Sequence, residues 1–158
     1  MKKKVFIYVG HSNWGKSMAL KMLTGGSSHK KIANISGHIV RVRKMSNDDY
    51  SQKLLDWVID IPRINYQRFI IAFCPNFPPA MGKPTIEQNI GLDIILELQK
   101  TNELFFFIQK EEFNAPTHQI SQDEINWMSN YGIVQILSGQ NPNTIRASEF
   151  EKFIKVHI

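Results

Sequence analysis

Hydrophobic positions in this chain fall into short apolar runs separated by stretches of helical periodicity. Val5-Phe6-Ile7-Tyr8-Val9 is β-prone and apolar throughout, as a buried strand requires. Ser17-Met18-Ala19-Leu20-Lys21-Met22-Leu23 is rich in good helix formers and stops at Gly25-Gly26. A polar stretch over residues 25–31 leads to a second β-prone run, His38-Ile39-Val40-Arg41-Val42-Arg43. The alternation of Ile39 with Arg41 and Arg43 predicts a strand near an edge, or one that points charges into a cleft. Ser46-Asn47-Asp48-Asp49 supplies N-cap chemistry for a helix whose apolar face holds Tyr50, Leu54, Leu55, Val58 and Ile61, with Pro62 as its stop.

Further along, Phe69-Ile70-Ile71-Ala72-Phe73 reads as a strand in the middle of a parallel sheet. Cys74-Pro75-Asn76-Phe77-Pro78-Pro79 breaks it and opens a loop through Gly82-Lys83-Pro84. Ile86, Ile90, Ile94 and Leu98 then recur at helical spacing, and Leu104-Phe105-Phe106-Phe107-Ile108 is the next strand. Ser121-Gln122-Asp123-Glu124 is a capping box opening a helix that ends at Gly132. Ile133-Val134-Gln135-Ile136-Leu137 is the last strand, and a final helix from about Ser148 buries Phe150, Phe153 and Ile154. The sum is an alternating β/α chain. Right-handed crossovers make it a three-layer α/β domain with a mainly parallel five-stranded sheet, its ligand at the carboxyl ends of the strands. At 158 residues the chain is read as one domain over residues 1–158, with no linker.

Charge narrows the partners. The net charge is +5, from 19 basic and 14 acidic residues, but the lysines are scattered apart from residues 2–4 and 30–31. No basic stripe with interleaved aromatics is present, so nucleic acid is not the expected partner. A basic surface that suits anionic ligands such as nucleoside phosphates is the plainer reading. The single cysteine, Cys74, forms no internal disulfide framework and suits a reducing cytosol. The apolar run after the first lysines is too short for a signal peptide, and no stretch has the length of a membrane span. The expected location is therefore the cytoplasm, with no membrane partner; a homo-oligomer stays open.

One segment carries chemistry. Gly10-His11-Ser12-Asn13-Trp14-Gly15-Lys16-Ser17 fits G-x-x-x-x-G-K-[ST] between an expected strand and an expected helix. A glycine-bearing turn and a helix N-terminus aim backbone N–H groups and a dipole at one anion. In this motif Lys16 reaches the β- and γ-phosphates and the Ser17 hydroxyl ligates Mg²⁺, with Met18 next in the helix. The segment resembles the phosphate loop of the P-loop NTPase superfamily. That resemblance implies Mg²⁺-dependent binding of ATP or GTP by residues 10–18, with Gly10, Asn13, Gly15, Lys16 and Ser17 at the phosphates.

Which reaction would follow stays divided. A helix between the second and third strands favours the kinase-like branch, in which an unidentified acceptor takes the phosphoryl group. The Walker B aspartate of that superfamily is missing, since Phe73-Cys74-Pro75 stands in its place. Asp48 or Asp49 is then the candidate metal or base carboxylate, alongside the plain reading that both cap their helix. Arg41 and Arg43 would grip an acceptor's phosphate or carboxylate, or else lie on a solvated strand face. Residues 109–119 lack the lid arginine of such kinases, and Arg146 is the one late arginine able to approach a nucleotide. GTPase-like features are partial: Asn13, Gln109-Lys110-Glu111-Glu112 in place of N-K-x-D, and Ser138-Gly139, but no D-x-x-G. A catalytically weak nucleotide-binding regulatory module is the third reading, with Trp14, Trp57, Tyr66, Phe77 and Trp127 available for a partner surface. More often such residues complete the core or line the base pocket; Trp14, in the loop itself, is also placed to stack on a ligand or cover the phosphates. His11 is expected to be an exposed spacer, and Cys74 an inert apolar residue at the mouth of the cleft.

Overall fold

A computed structural model of the chain describes residues 2–11, 14–75 and 86–158; the side chains of residues 48–52, 86–90 and 115–118 also lie outside the description. The elements are β1 (Lys3–Val9), α1 (Lys16–Leu23), β2 (Ile32–Ile35), β3 (His38–Arg43), α2 (Asn47–Asp60), β4 (Arg68–Phe73), α3 (Ile86–Gln99) and β5 (Asn102–Gln109). They are followed by β6 (Glu111–Glu112), β7 (Ala115–Gln119), α4 (Gln122–Ser129), β8 (Gly132–Leu137) and α5 (Asn143–His157), and one turn of 3₁₀ helix (Ile61–Arg63) closes α2 at Pro62.

The main sheet has the order β2-β3-β4-β1-β5-β8. β1 lies at its centre, pairing in parallel with β4 (Val5 opposite Phe69) and with β5 (Val5 opposite Leu104). β3 and β8 extend the parallel set outward from β4 and β5. β2 is the exception, joined to β3 as an antiparallel hairpin through Ser36 and Gly37. Both turn residues have positive φ, 52° and 82°, the combination a two-residue hairpin turn needs to match strand twist. The expected five-stranded sheet is thus corrected to six strands, because residues 32–35 add an edge. A separate two-stranded ribbon, β6-β7, occupies the stretch after β5.

Side-chain alternation along the central strands builds two cores, one on each face of the sheet. Val5, Ile7 and Val9 of β1 face Leu54 and Val58 of α2, Ile94, Ile95 and Leu98 of α3, and Ile125 and Met128 of α4. Phe6 and Tyr8 face Ala19 and Leu20 of α1 and Phe150, Phe153 and Ile154 of α5. Two helical layers around a sheet give the three-layer α/β architecture. β1, β4 and β5 are apolar on both sides because both sides are covered. The carboxyl ends of these three strands carry the segments that hold the candidate chemistry.

Candidate functional site

Residues after β1 turn sharply into α1. Gly15 is the N-cap of α1 and sits in the left-handed region at φ 80°, where a side chain would be strained. An added Cβ there would also lie 2.9 Å from Arg146 Nη2 and 3.2 Å from Asn143 Oδ1. The turn therefore requires glycine for its backbone and for the helix packed above it. Lys16 is only 6% exposed, and its ammonium donates to the His11 carbonyl at 2.8 Å. Arg146, at 4% exposure on α5, donates from Nη1 to the Trp14 carbonyl at 2.9 Å. Its Nε is buried with no hydrogen-bond partner among the described residues. Two cations thus converge on one turn from different elements. The N-terminus of α1 has neither a side-chain cap nor an acidic residue in its first turn. Its positive end is left without a carboxylate of its own.

Tyr8, one turn of chain below, donates its hydroxyl to Gln109 Oε1 at 2.9 Å, and burial pushes its phenol well above the ordinary range. Gln109 in turn donates to the Glu111 carbonyl, tying the end of β5 to the β6-β7 ribbon. At the end of β4, Asn47 holds both backbone groups of Cys74: Nδ2 donates to its carbonyl at 3.0 Å and Oδ1 accepts from its N–H at 2.7 Å.

Several readings of the sequence change here. His11 is 6% exposed rather than an exposed spacer, with Nδ1 3.9 Å from Cys74 Sγ and Nε2 3.9 Å from Glu124 Oε1. Trp14 is 3% exposed and belongs to the core cluster under β1, with the His11 ring edge-on at 5.1 Å. Its indole packs in that core, as such rings more often do. Cys74 is buried at 1%, inside the fold rather than at a cleft mouth. Glu124 is also 1% exposed, and burial raises its carboxyl above the ordinary glutamate range despite two hydrogen bonds with Ser121. Nothing in the sequence flags this approach of Cys74 and Glu124 to His11, because the three come from segments far apart in the chain, two after strands and one in the first turn of α4.

The structure gathers Gly10, His11, Trp14, Gly15, Lys16, Ser17 and Met18 at one end of the sheet and adds Arg146. Ser17 and Met18 are exposed, Met18 at 49%. Ser12 and Asn13 lie outside the described residues, as does the loop over residues 76–85. Asp48 and Asp49 fall in the first turn of α2, and their side chains lie outside the description. Arg41 and Arg43 are held elsewhere, over the Trp57 ring at 5.9 and 5.8 Å. Glu111 accepts from the Gly139 N–H at 3.2 Å, so the stretch read as a distorted guanine motif ties a ribbon to the loop after β8. Among the described residues no group of three or more histidine, cysteine or acidic side chains is placed to hold a metal ion.

No protein-family model matches the chain. No curated protein matches it either. A solved structure, the crystal structure of the flavodoxin-like domain of a protein from Synechococcus sp, is similar at 13% identity and a TM-score of 0.44, over 96% of this chain and 93% of that one. The expected membership of the P-loop NTPase superfamily is corrected: no family model supports it, and the structural likeness found is to a flavodoxin-like domain. The kinase-like and GTPase-like functions drawn from it are withdrawn with it. A four-position motif is local: it describes a strand, a glycine turn and a helix, and the rest of the chain supplies neither the Walker B aspartate nor the D-x-x-G. What stands is a three-layer α/β fold with a mainly parallel six-stranded sheet.

Proposed function

We propose that the turn between β1 and α1 is an anion-binding site for the phosphate group of a small ligand. One observation carries this: Lys16 and Arg146, both buried, are fixed on carbonyls of a single glycine turn at an uncapped helix N-terminus. Two cations and a helix dipole aimed at one place favour an anion strongly, more so where water is partly excluded. Binding is what these contacts support, and no reaction is attributed to them. Mg²⁺, ATP and GTP remain the ligands to try first, beside inorganic phosphate and pyrophosphate.

Thermal midpoints of the wild type and of Lys16→Ala, each referred to its own unliganded value, test the site. Ligand at a hundred times its dissociation constant contributes about 2.7 kcal/mol, on the order of 5–10 °C for a domain of this size. The expected result is a shift with at least one phosphate-bearing ligand that Lys16→Ala abolishes. An equal shift in Lys16→Ala, or none with any anion, would remove the site.

A further inference from the structure

A second concentration of positive charge lies on the other side of the sheet's carboxyl edge, apart from the β1–α1 turn. Pairing of β2 with β3 brings the chain before β2 against the end of β3, with the Val42 N–H donating to the Lys31 carbonyl at 2.8 Å. Between them is a groove of about 240 Å³ that receives His29, Lys30, Lys31, Arg41, Arg43 and Lys44 and no acidic residue. None of these six takes part in an ion pair among the described residues.

Several contacts hold the cations in place. Arg41 Nη1 donates to the Lys31 and Val42 carbonyls at 3.0 and 2.8 Å. Lys44 donates to the Ser27 and Lys30 carbonyls at 2.5 and 2.8 Å. The Trp57 ring lies within cation–π distance of both guanidinium groups. Arg43 Nε is buried without a hydrogen-bond partner among the described residues. Burial and the neighbouring Arg41 both disfavour the Arg43 charge, and burial and Lys21 disfavour that of Lys44. Like charges held close together, with a guanidinium donor unused, are what a bound anion would stabilise.

We propose that this groove binds a compact polyanion carrying two phosphate groups, of the pyrophosphate or sugar-bisphosphate class. Its size argues for a small ligand, being below the roughly 300–1,000 Å³ of clefts that take drug-sized molecules. A nucleic-acid track would need a longer charged path with aromatic faces open for stacking. Here the nearest aromatic ring, Trp57, is already covered by the arginine pair.

Calorimetric titration of inorganic pyrophosphate into Lys16→Ala, which silences the β1–α1 turn, tests the groove by itself. Lys16→Ala is expected to bind, and adding Arg43→Gln is expected to weaken binding about tenfold or more, as loss of one charge-assisted hydrogen bond implies. Lys30→Gln with Lys31→Gln, both exposed side chains, is expected to weaken it as well, and it keeps the test valid if Arg43→Gln fails to fold. Failure of Lys16→Ala to bind pyrophosphate overturns the groove, whatever the wild type does. Retention of full affinity in both groove variants overturns it too. An oligothymidylate that displaces pyrophosphate at lower concentration than pyrophosphate itself overturns the assignment to a compact ligand.

Discussion

Gly132 opens β8 opposite Leu104 of β5, and it is glycine for lack of space rather than for its backbone angle. An added Cβ would lie 2.2 Å from the Leu104 carbonyl oxygen, 2.8 Å from its carbonyl carbon and 2.9 Å from its Cβ. Two of these atoms are backbone, so no rotamer change relieves the contact. The Gly132–Leu104 pair must part by nearly an ångström before the methyl reaches even the tightest tolerated approach of 3.0 Å. That movement strains the first rung of the β5–β8 ladder. Overpacking of this kind costs typically about 1–3 kcal/mol, and the involvement of backbone puts Gly132→Ala in the upper half of that range. In a domain of this size, about 2–3 kcal/mol lowers the thermal midpoint by roughly 4–12 °C. Urea denaturation gives the free energy, and amide exchange at Ile133 and Val134 against exchange at Phe6 and Ile7 localises it. Loss of protection is expected to begin at β8 while β1 keeps its own. Ile133→Ala, at a side chain 50% exposed on the same strand, serves as the control and should cost little. A Gly132→Ala protein within about 0.5 kcal/mol of the wild type, the range of innocuous surface changes, would refute the steric argument.

Glu124→Gln should raise stability near neutral pH, because it removes a buried charge and keeps an oxygen to accept from the Ser121 N–H. The native carboxyl titrates above the unfolded one, so the native state binds the extra proton. Stability from this group is full below the ordinary glutamate pKa and is lost as pH rises through the raised value. Denaturation curves across that window should flatten in Glu124→Gln, and an unchanged slope would contradict the assignment. Ser121→Ala removes the other half of the capping box, in which Ser121 Oγ accepts from the Glu124 N–H at 3.1 Å, and should cost about 1 kcal/mol by the same measurement.

Strands buried on both faces were the easiest part of the fold to read. β1, β4 and β5 are uninterrupted apolar runs, and the capping box at Ser121 marks α4 without help from tertiary contacts. β2 was not legible: it spans four residues, Ile32–Ile35, with Asn34 among them, and is held by its hairpin to β3 rather than by its own pattern. β6 and β7 are polar and escape a hydrophobic reading for the same reason. Placing α5 from Ser148 missed its first turn, which begins at Asn143 after Pro142 and carries Arg146. In the candidate site, Gly15 and Lys16 were visible because a short motif states them directly. His11 is buried where an exposed spacer was expected, since loop membership says nothing about the direction in which a side chain points. The local pattern also suggests a superfamily that no family model supports for the chain as a whole.

The position of β1 has a consequence for how the chain acquires its structure. The central strand is made before both of its partners, β4 and β5, so Val5 finds Phe69 and Leu104 only across long intervening chain. Neither core can close until Gln109 has been synthesised, and α5, which seals one face, follows later still. During synthesis the apolar residues of β1 therefore wait without neighbours, open to chaperones or to mispairing. Such non-local pairing belongs to the slower end of single-domain folding. The arrangement that shields β1 completely in the folded domain leaves it exposed in the nascent chain until both partners have followed.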